Sequence, residues 1–161
     1  MGVSGSGKTT VGELLAKELG RPFYDGDDFH SAANVAKMAA GHPLTDADRH
    51  DWLATLATHL GEWETTGGAV LACSALKETY RQTLQAGEQL PLTWVFLDGS
   101  HALLEERLED RAGHYMKASM LNSQLATLEK PTYGIRIELT NSETPAQVVA
   151  RIVAQLPAQA T

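Results

Sequence analysis

A glycine-rich motif at residues 2–9 constrains this chain more than any other feature of its sequence. The motif reads Gly-Val-Ser-Gly-Ser-Gly-Lys-Thr and fits the pattern G-x-x-x-x-G-K-S/T in full. Its glycines let the backbone curl until successive N–H groups point at one anion, and the helix predicted to follow directs its positive end to the same place. The motif therefore predicts a nucleotide-phosphate site, with Lys8 on the outer phosphates and the Thr9 hydroxyl on Mg²⁺. The predicted nucleotide ligands are Gly2, Val3, Ser4, Gly5, Ser6, Gly7, Lys8, Thr9 and Thr10.

The rest of the chain alternates short apolar segments of strand length with amphipathic segments of helical period. Strands are predicted at 22–24, 69–73, 93–97 and 136–139, and helices lie between and after them. A flexible glycine-serine linker is disfavoured at residues 2–9, because a Lys-Thr pair and a helix follow in register. The alternation predicts an α/β protein with a parallel sheet between two helical layers, folded as a single domain over residues 1–161.

The beginning of the predicted sheet is unusual. A phosphate loop normally follows a central strand, but only Met1 precedes Gly2. We therefore expect a sheet of about five strands whose first strand is truncated. Loss of a central strand leaves neighbouring strand edges unpaired. We expect about eight to ten apolar-rich residues upstream of Met1, the length of a short strand with its lead-in.

Composition excludes several classes of function. The net charge of −7 argues against nucleic-acid binding as the main activity. No apolar run approaches the roughly 20 residues that span a bilayer, and no signal peptide opens the sequence. Cys73 is the single cysteine, which excludes an internal disulfide and a cysteine-based zinc site. The expected location is the reducing cytoplasm.

Two acidic residues follow the first predicted strand of the chain. Asp25 and Asp27 stand where α/β sheets place their chemistry, at the carboxyl end of a strand. Neither the guanine-reading Asn-Lys-x-Asp segment of GTPases nor the strand-plus-acid signature of ATPase motors is present. Small-molecule kinases place Asp-x-Asp near the metal and the acceptor hydroxyl, so this class fits best. An ordinary acidic turn is the alternative reading of the pair.

The chain also resembles a known family, gluconate kinase (gluconokinase) of the small P-loop type. The resemblance covers nearly the whole chain. Its most specific segments are the Gly-x-Pro-Leu-x-Asp-x-Asp-Arg run at residues 41–49 and the Cys-Ser-Ala-Leu-Lys run at residues 73–77. Further matches are the phosphate loop, residues 25–30 with Asn34, Lys37 and Met38, the pair Trp52 and Leu53, the pair Tyr80 and Arg81, and residues 111–116.

The resemblance implies ATP-dependent phosphorylation of D-gluconate at its 6-hydroxyl, giving 6-phosphogluconate and ADP. In that reaction Asp25 would contact Mg²⁺ through water, and Asp27 would orient the acceptor hydroxyl and take its proton. Lys8, Asp27 and Arg111 are the expected catalytic residues. Gluconate carries a carboxylate and several hydroxyls, so its pocket needs cations and hydrogen-bond donors. The expected substrate ligands are Asp27, His30, Arg49, Lys77 and Arg81; a surface salt bridge is the alternative for each cation, and a packing or capping role is the alternative for His30.

Residues 111–126 resemble the family's mobile helical lid, with Gly113 as a possible hinge. Arg107 and Arg111 lie one helical turn apart, and the resemblance implies that they stack on adenine and neutralise the transferring phosphoryl group. A solvated helix end is the alternative for both arginines.

The family also tends to form homodimers. Two other functions stay open: a shikimate or adenylylsulfate kinase, which would lack the 41–49 and 73–77 segments, and a non-catalytic nucleotide-binding module.

Overall fold

The computed structural model of the chain describes residues 1–110 and 115–157, and for residues 115–118 the backbone alone. Helices and strands alternate along it as predicted, and in the described part no helix has both the length and the apolarity to cross a membrane. A short 3₁₀ helix, Gly26–Phe29, follows the first strand. The elements are α1 (Lys8–Leu19), β1 (Phe23–Asp25), α2 (Ala32–Ala39), α3 (Asp46–Thr65), β2 (Val70–Ala72), α4 (Glu78–Gln85), β3 (Val95–Asp98), α5 (His101–Glu109), α6 (Tyr115–Thr127), β4 (Ile135–Glu138) and α7 (Pro145–Val153).

Local capping fixes the starts of two helices. The Thr45 hydroxyl accepts a hydrogen bond from the Asp48 amide, and the Asp48 carboxylate accepts one from the Thr45 amide in return. Thr144 and Gln147 form the same reciprocal pair at the start of α7. Lys37 also donates to the Asp48 carboxylate at 2.5 Å. The hydrogen bonds from Lys37 and from the Thr45 amide lower the pKa of Asp48 to about 2.

The four strands form two parallel pairs. Strand β1 pairs with β2, and β3 pairs with β4. Met1 lies between the pairs: its nitrogen donates to the carbonyl of Val95, and its own carbonyl accepts from the amide of Leu97. On the other side the Gly2 amide donates to the carbonyl of Ser74 at 3.3 Å. Met1 and Gly2 thus bridge the pairs at the position of a central strand.

A cavity of about 650 Å³ extends from Met1 between the edges of β2 and β3. Apolar side chains, including Val11, Leu71, Leu92 and Val95, contribute to its lining. The described residues form four strands in two parallel pairs, and Met1 and Gly2 supply backbone hydrogen bonds at the position expected for the truncated first strand. The parallel direction of the strands is confirmed.

Helices cover both faces of these strands, and each face has its own apolar core. On one face Leu56, Leu76 and Leu104 are fully buried between α3, α4 and α5. On the other face Ile137 and Ile152 are fully buried between α1, β4 and α7. Burial of such side chains contributes about 1.5–3 kcal/mol each. The two cores confirm the predicted α/β/α layering, and they hold the carboxyl ends of the strands on one edge of the molecule.

Candidate active site

The phosphate loop at residues 2–7 curls at this edge and leads directly into α1. Gly5 and Gly7 have φ angles of 83° and 85°, in the left-handed region that glycine adopts without steric cost. A Cβ atom on Gly5 would also lie 3.1 Å from the carbonyl oxygen of Leu104 on α5. Because α1 begins at Lys8, its first N–H groups have no acceptor within the helix and lie at the loop. The loop has the form that anion binding requires.

Thr9 links this loop to the end of β1, and Lys8 donates back to the loop itself. The Lys8 ammonium donates to the carbonyl of Val3 at 3.2 Å, so its charge lies across the loop. The Thr9 hydroxyl donates to the Asp25 carboxylate at 2.8 Å, and the second oxygen of Asp25 accepts from the Asp27 amide at 3.0 Å. These adjacent hydroxyl and carboxylate oxygens fit Mg²⁺, which prefers oxygen ligands and keeps several waters. No group of three or more His, Cys, Asp or Glu residues suited to a metal occurs among the described residues.

Asp27 presents a carboxylate next to this pair. Partial desolvation by the cleft and the neighbouring Asp25 carboxylate raise the pKa of Asp27, while the charges of Lys8 and His30 oppose the rise. A carboxylate with a raised pKa is a better proton acceptor than an ordinary one. The arrangement therefore suits removal of a proton from a hydroxyl held beside the phosphate loop.

His30 lies behind Asp27 and is held from two sides. Its side chain is only 4% exposed and stacks on the ring of Trp52, with centroids 4.2 Å apart. Burial lowers the pKa of His30, which favours the neutral ring. The amide nitrogen of Asn34 lies 3.4 Å from Nδ1, so we assign the ring proton to Nε2, which is 3.8 Å from the Asp27 carboxylate. His30 thus lies next to Asp27 without a direct hydrogen bond to it, and contact of His30 with a substrate stays a prediction.

Arg49 and Lys77 come together around Tyr80 at the N-terminal end of α3. The Arg49 guanidinium donates to the Tyr80 hydroxyl at 3.3 Å and lies 5.4 Å from the centre of its ring. Lys77 donates to both oxygens of Asp46 at 3.0 Å. Hydrogen bonds from Tyr80 and Lys77 lower the pKa of Asp46, and the bond to Asp46 raises the pKa of Lys77. Among the described residues Arg49 makes no ion pair, so its charge can serve an anionic ligand, whereas Lys77 already neutralises Asp46.

The prediction that Arg81 binds substrate is wrong. Its side chain is 1% exposed, and its donors face protein acceptors instead of the cleft. One of those acceptors is the carbonyl of Ala75, a residue in the left-handed region with a φ of 46°, which costs about 1–2 kcal/mol. Arg81 therefore stabilises the strained loop at residues 73–77. Its acceptors are Ala75, Leu76, Glu78, Tyr133 and Glu129.

Replacement of this buried guanidinium should destabilise the fold. In Arg81→Met the carbonyls of Ala75 and Glu129 lose their donor inside the protein, so we expect the free energy of unfolding to fall by about 3 kcal/mol. Urea denaturation would measure the change. Gln82→Met, on the exposed side of the same helix, is the control and should stay within about 0.5 kcal/mol of the parent. An Arg81→Met protein as stable as the control would contradict the structural role.

The nucleotide side of the cleft is described in part. Arg107 on α5 donates to the carbonyl of Thr140, and Asn141 donates to Glu106 on the same helix. These contacts join α5 to the loop that follows β4. Helix α6 supplies helical structure within the predicted lid at residues 111–126. The predictions for Arg111 and Gly113 lie outside the described residues.

Three residues of the site received no predicted role from the sequence. They are Asn34, Asp46 and Tyr80. All three stand in segments that carry the family resemblance, which was the only feature of the sequence that pointed to a role for them. Their roles depend on partners far along the chain: Asn34 donates to the carbonyl of Asp48, and Tyr80 donates to Asp46. Cys73 is buried, and burial raises the pKa of its thiol to about 11.

Comparison with known proteins places these features in a family. The sequence model described as shikimate kinase matches residues 4–157. A gluconokinase from Gluconobacter oxydans (strain 621H) is 55% identical over 132 residues, which cover 81% of this chain and 74% of that protein. The crystal structure of a gluconokinase from Sinorhizobium meliloti 1021 superposes with a TM-score of 0.86 at 42% identity, covering 96% of this chain and 87% of that one.

A shikimate kinase from Aquifex aeolicus is more distant. Its structure gives a TM-score of 0.55 at 20% identity, covering 96% of this chain and 91% of that one. This likeness is evidence for the fold alone. The much higher identity to gluconokinases separates the two groups within the shared fold. The chain therefore belongs to the gluconokinase family, within the wider group that the shikimate kinase model describes.

Proposed function

We propose that the protein transfers the γ-phosphoryl group of ATP to the 6-hydroxyl of D-gluconate, forming 6-phosphogluconate and ADP. The observation that carries the proposal is the chain of contacts from Thr9 to Asp25 to Asp27, which puts a proton acceptor beside the phosphate loop. Sequence identity of 55% to a gluconokinase supports the choice of acceptor. In the reaction the substrate oxygen forms a bond to phosphorus while the bond to the β-phosphate oxygen breaks.

Phosphoryl transfer needs positioning and charge neutralisation more than covalent chemistry. Lys8 and the loop amides would hold the phosphates, and the Thr9 hydroxyl would ligate Mg²⁺, with Asp25 contacting the ion through water. When bound, that ion supplies positive charge beside the phosphate oxygens. Asp27 would accept the proton of the attacking hydroxyl, with His30 beside it against the ring of Trp52.

Arg49 is the residue best suited to the carboxylate of gluconate. Its guanidinium is half-buried, lies against the Tyr80 ring and has no ion-pair partner in the described residues. Arginine can grip a carboxylate with two parallel hydrogen bonds. Lys77 lies in the same cluster, and its pairing with Asp46 suits it to donate to a substrate hydroxyl. Arg49 would thus bind the carboxylate of gluconate, and Lys77 would bind one of its hydroxyl groups.

Arg49→Ala should raise the KM for gluconate about tenfold or more and leave the KM for ATP nearly unchanged, because a charged hydrogen bond contributes about 1.5–3 kcal/mol. Steady-state kinetics with each substrate varied in turn measures the two constants. Arg21→Ala, an exposed arginine outside this cluster, is the matched control. An equal rise in both constants would indicate that Arg49 is structural.

The reaction is tested directly by coupled detection of ADP with a panel of acceptors. We expect turnover with gluconate and none with shikimate. Turnover with shikimate but not gluconate would favour the shikimate kinase alternative and overturn the choice of substrate. Tight ATP binding without transfer to any acceptor would favour the non-catalytic nucleotide-binding module.

We extend the proposal to the remaining parts of the nucleotide site. Arg107 would stack on adenine, supported by its contact with the loop after β4. Arg111 would neutralise the transferring group at the edge of the lid. The proposal also holds that the protein acts as a single domain in the cytoplasm, with ATP and gluconate as substrates and Mg²⁺ as cofactor, and that it does not act on nucleic acid. A homodimer stays a prediction that sedimentation analysis can test.

A further inference from the structure

The side chain of Gln124 joins the phosphate loop to α6, the helix of the predicted lid, which is called the lid helix below. The backbone N–H of Ser4 donates to the side-chain oxygen of Gln124 on α6, with a distance of 2.7 Å. The two residues are 120 positions apart, and the contact is partly buried. The Ser4 amide is therefore satisfied by the protein, and the other loop amides are the ones that would hold the phosphates. Gln124 lies within the predicted lid at residues 111–126, so the contact connects two parts of the site that are remote in sequence.

Packing and hydrogen bonds hold the C-terminal part of α6 in place, and with it the backbone of Gln124. Leu121, one turn before Gln124, is 1% exposed in the same apolar core as Val3 of the phosphate loop. Beyond the helix, the amide of Glu129 donates to the carbonyl of Leu76 at 2.8 Å. Arg81 donates to the carbonyl of Glu129 at 2.9 Å. These contacts anchor the end of α6 to the loop at residues 73–77.

The phosphate loop, in contrast, has little stiffness of its own. Gly2, Gly5 and Gly7 all adopt positive φ angles, and glycine has many other conformations available. A hydrogen bond to Ser4, in the middle of these glycines, removes some of that freedom. Only the fraction of molecules with a correctly shaped loop can bind phosphate, so the apparent affinity for nucleotide depends on this restriction.

We propose that Gln124 is a positioning residue that holds the phosphate loop in its nucleotide-binding shape through the Ser4 amide, and so couples nucleotide affinity to the anchored end of the lid helix. It touches neither substrate in this role and acts through the loop backbone. The hydrogen bond of the Gln124 side chain is made to the phosphate loop and not to a predicted gluconate ligand. Gln124 should thus affect nucleotide binding and leave gluconate binding unchanged.

Two variants separate the hydrogen bond from packing. Gln124→Met keeps the length of the side chain and loses the acceptor, whereas Gln124→Glu keeps an acceptor and adds a negative charge. In about 0.5 M salt, which weakens the repulsion between that charge and the phosphates, we expect the Kd for Mg·ADP to rise about three- to tenfold in Gln124→Met. Gln124→Glu should bind within about twofold of the parent under the same conditions. Calorimetric titration with Mg·ADP measures both values, and Gln82→Met is the control.

A second readout observes the loop itself. Hydrogen exchange at the Ser4 amide should be slow in the parent and in Gln124→Glu and faster in Gln124→Met, with unchanged melting temperatures showing that all are folded. Unchanged ADP affinity in Gln124→Met would overturn the proposal, and so would equal weakening in both variants, which would indicate a packing role. The proposal rests on the nucleotide part of the proposed function. Because ADP binding needs no acceptor, failure of gluconate as substrate would leave this test intact.

Discussion

Lys8→Ala should reduce kcat by at least about 100- to 1,000-fold. The ammonium of Lys8 lies across the phosphate loop, 3.2 Å from the carbonyl of Val3. There it can stabilise the negative charge that develops on the transferring phosphoryl group. Loss of one preorganised donor at a site of developing charge typically costs about 3–4 kcal/mol of transition-state stabilisation. Coupled ADP release with saturating ATP and gluconate would measure the effect.

The matched control for this prediction is on the same helix. Lys17 is an exposed lysine in the last turn of α1, far from the loop along the helix axis. Lys17→Ala should retain kcat within about twofold, since exposed surface substitutions rarely matter. A near-parental rate for Lys8→Ala would refute its catalytic role, whereas an equal loss in both variants would indicate a general effect on α1.

Asp27→Asn should reduce kcat by about 100-fold with a much smaller change in the KM for gluconate. An amide has nearly the shape of the carboxylate but cannot take the proton of the hydroxyl. The expected loss is at the lower end of the range for general bases, because in a loose phosphoryl-transfer transition state the proton leaves late. Asp28→Asn, the exposed neighbour in the same 3₁₀ helix, is the control and should stay near the parental rate.

The pH dependence of kcat/KM gives an independent check on Asp27. Desolvation and the Asp25 carboxylate raise the pKa of Asp27, so the active ionised form is lost at a higher pH than for an ordinary aspartate. Activity should therefore fall on acidification through that raised pKa, and the residual activity of Asp27→Asn should lack this limb. An acid limb that persists unchanged in Asp27→Asn would assign the titration to another group.

Features that depend on neighbouring residues could be read from the sequence. The phosphate loop, the capping pairs at Thr45 and Thr144 and the alternation of strands and helices all follow from spacings of a few residues. The same local rules placed Asp25 and Asp27 after a strand beside the loop. The structure confirms these placements, because short-range hydrogen bonds and periodicity decide them before the chain packs.

Arg81 shows where such reasoning fails. Its sequence neighbourhood does not distinguish a buried arginine from one that lines a cleft. The family segment around Arg81 favoured a substrate-binding role for it. The structure buries it because carbonyls of Ala75 and Glu129, six and 48 residues away, converge on its guanidinium. The choice between substrate and structure therefore depended on contacts that no local pattern encodes.

The sequence by itself determined that this chain has a curled, glycine-rich loop of the phosphate-binding type within an α/β fold, because backbone conformation and helix periodicity are local properties. Only the tertiary structure decided which polar side chains complete the site. Asp46 meets Lys77 and Tyr80, His30 meets Asp27 against Trp52, and Gln124 reaches Ser4. Most of these contacts join different elements, so they exist only after the two apolar cores have packed the helices against the strands.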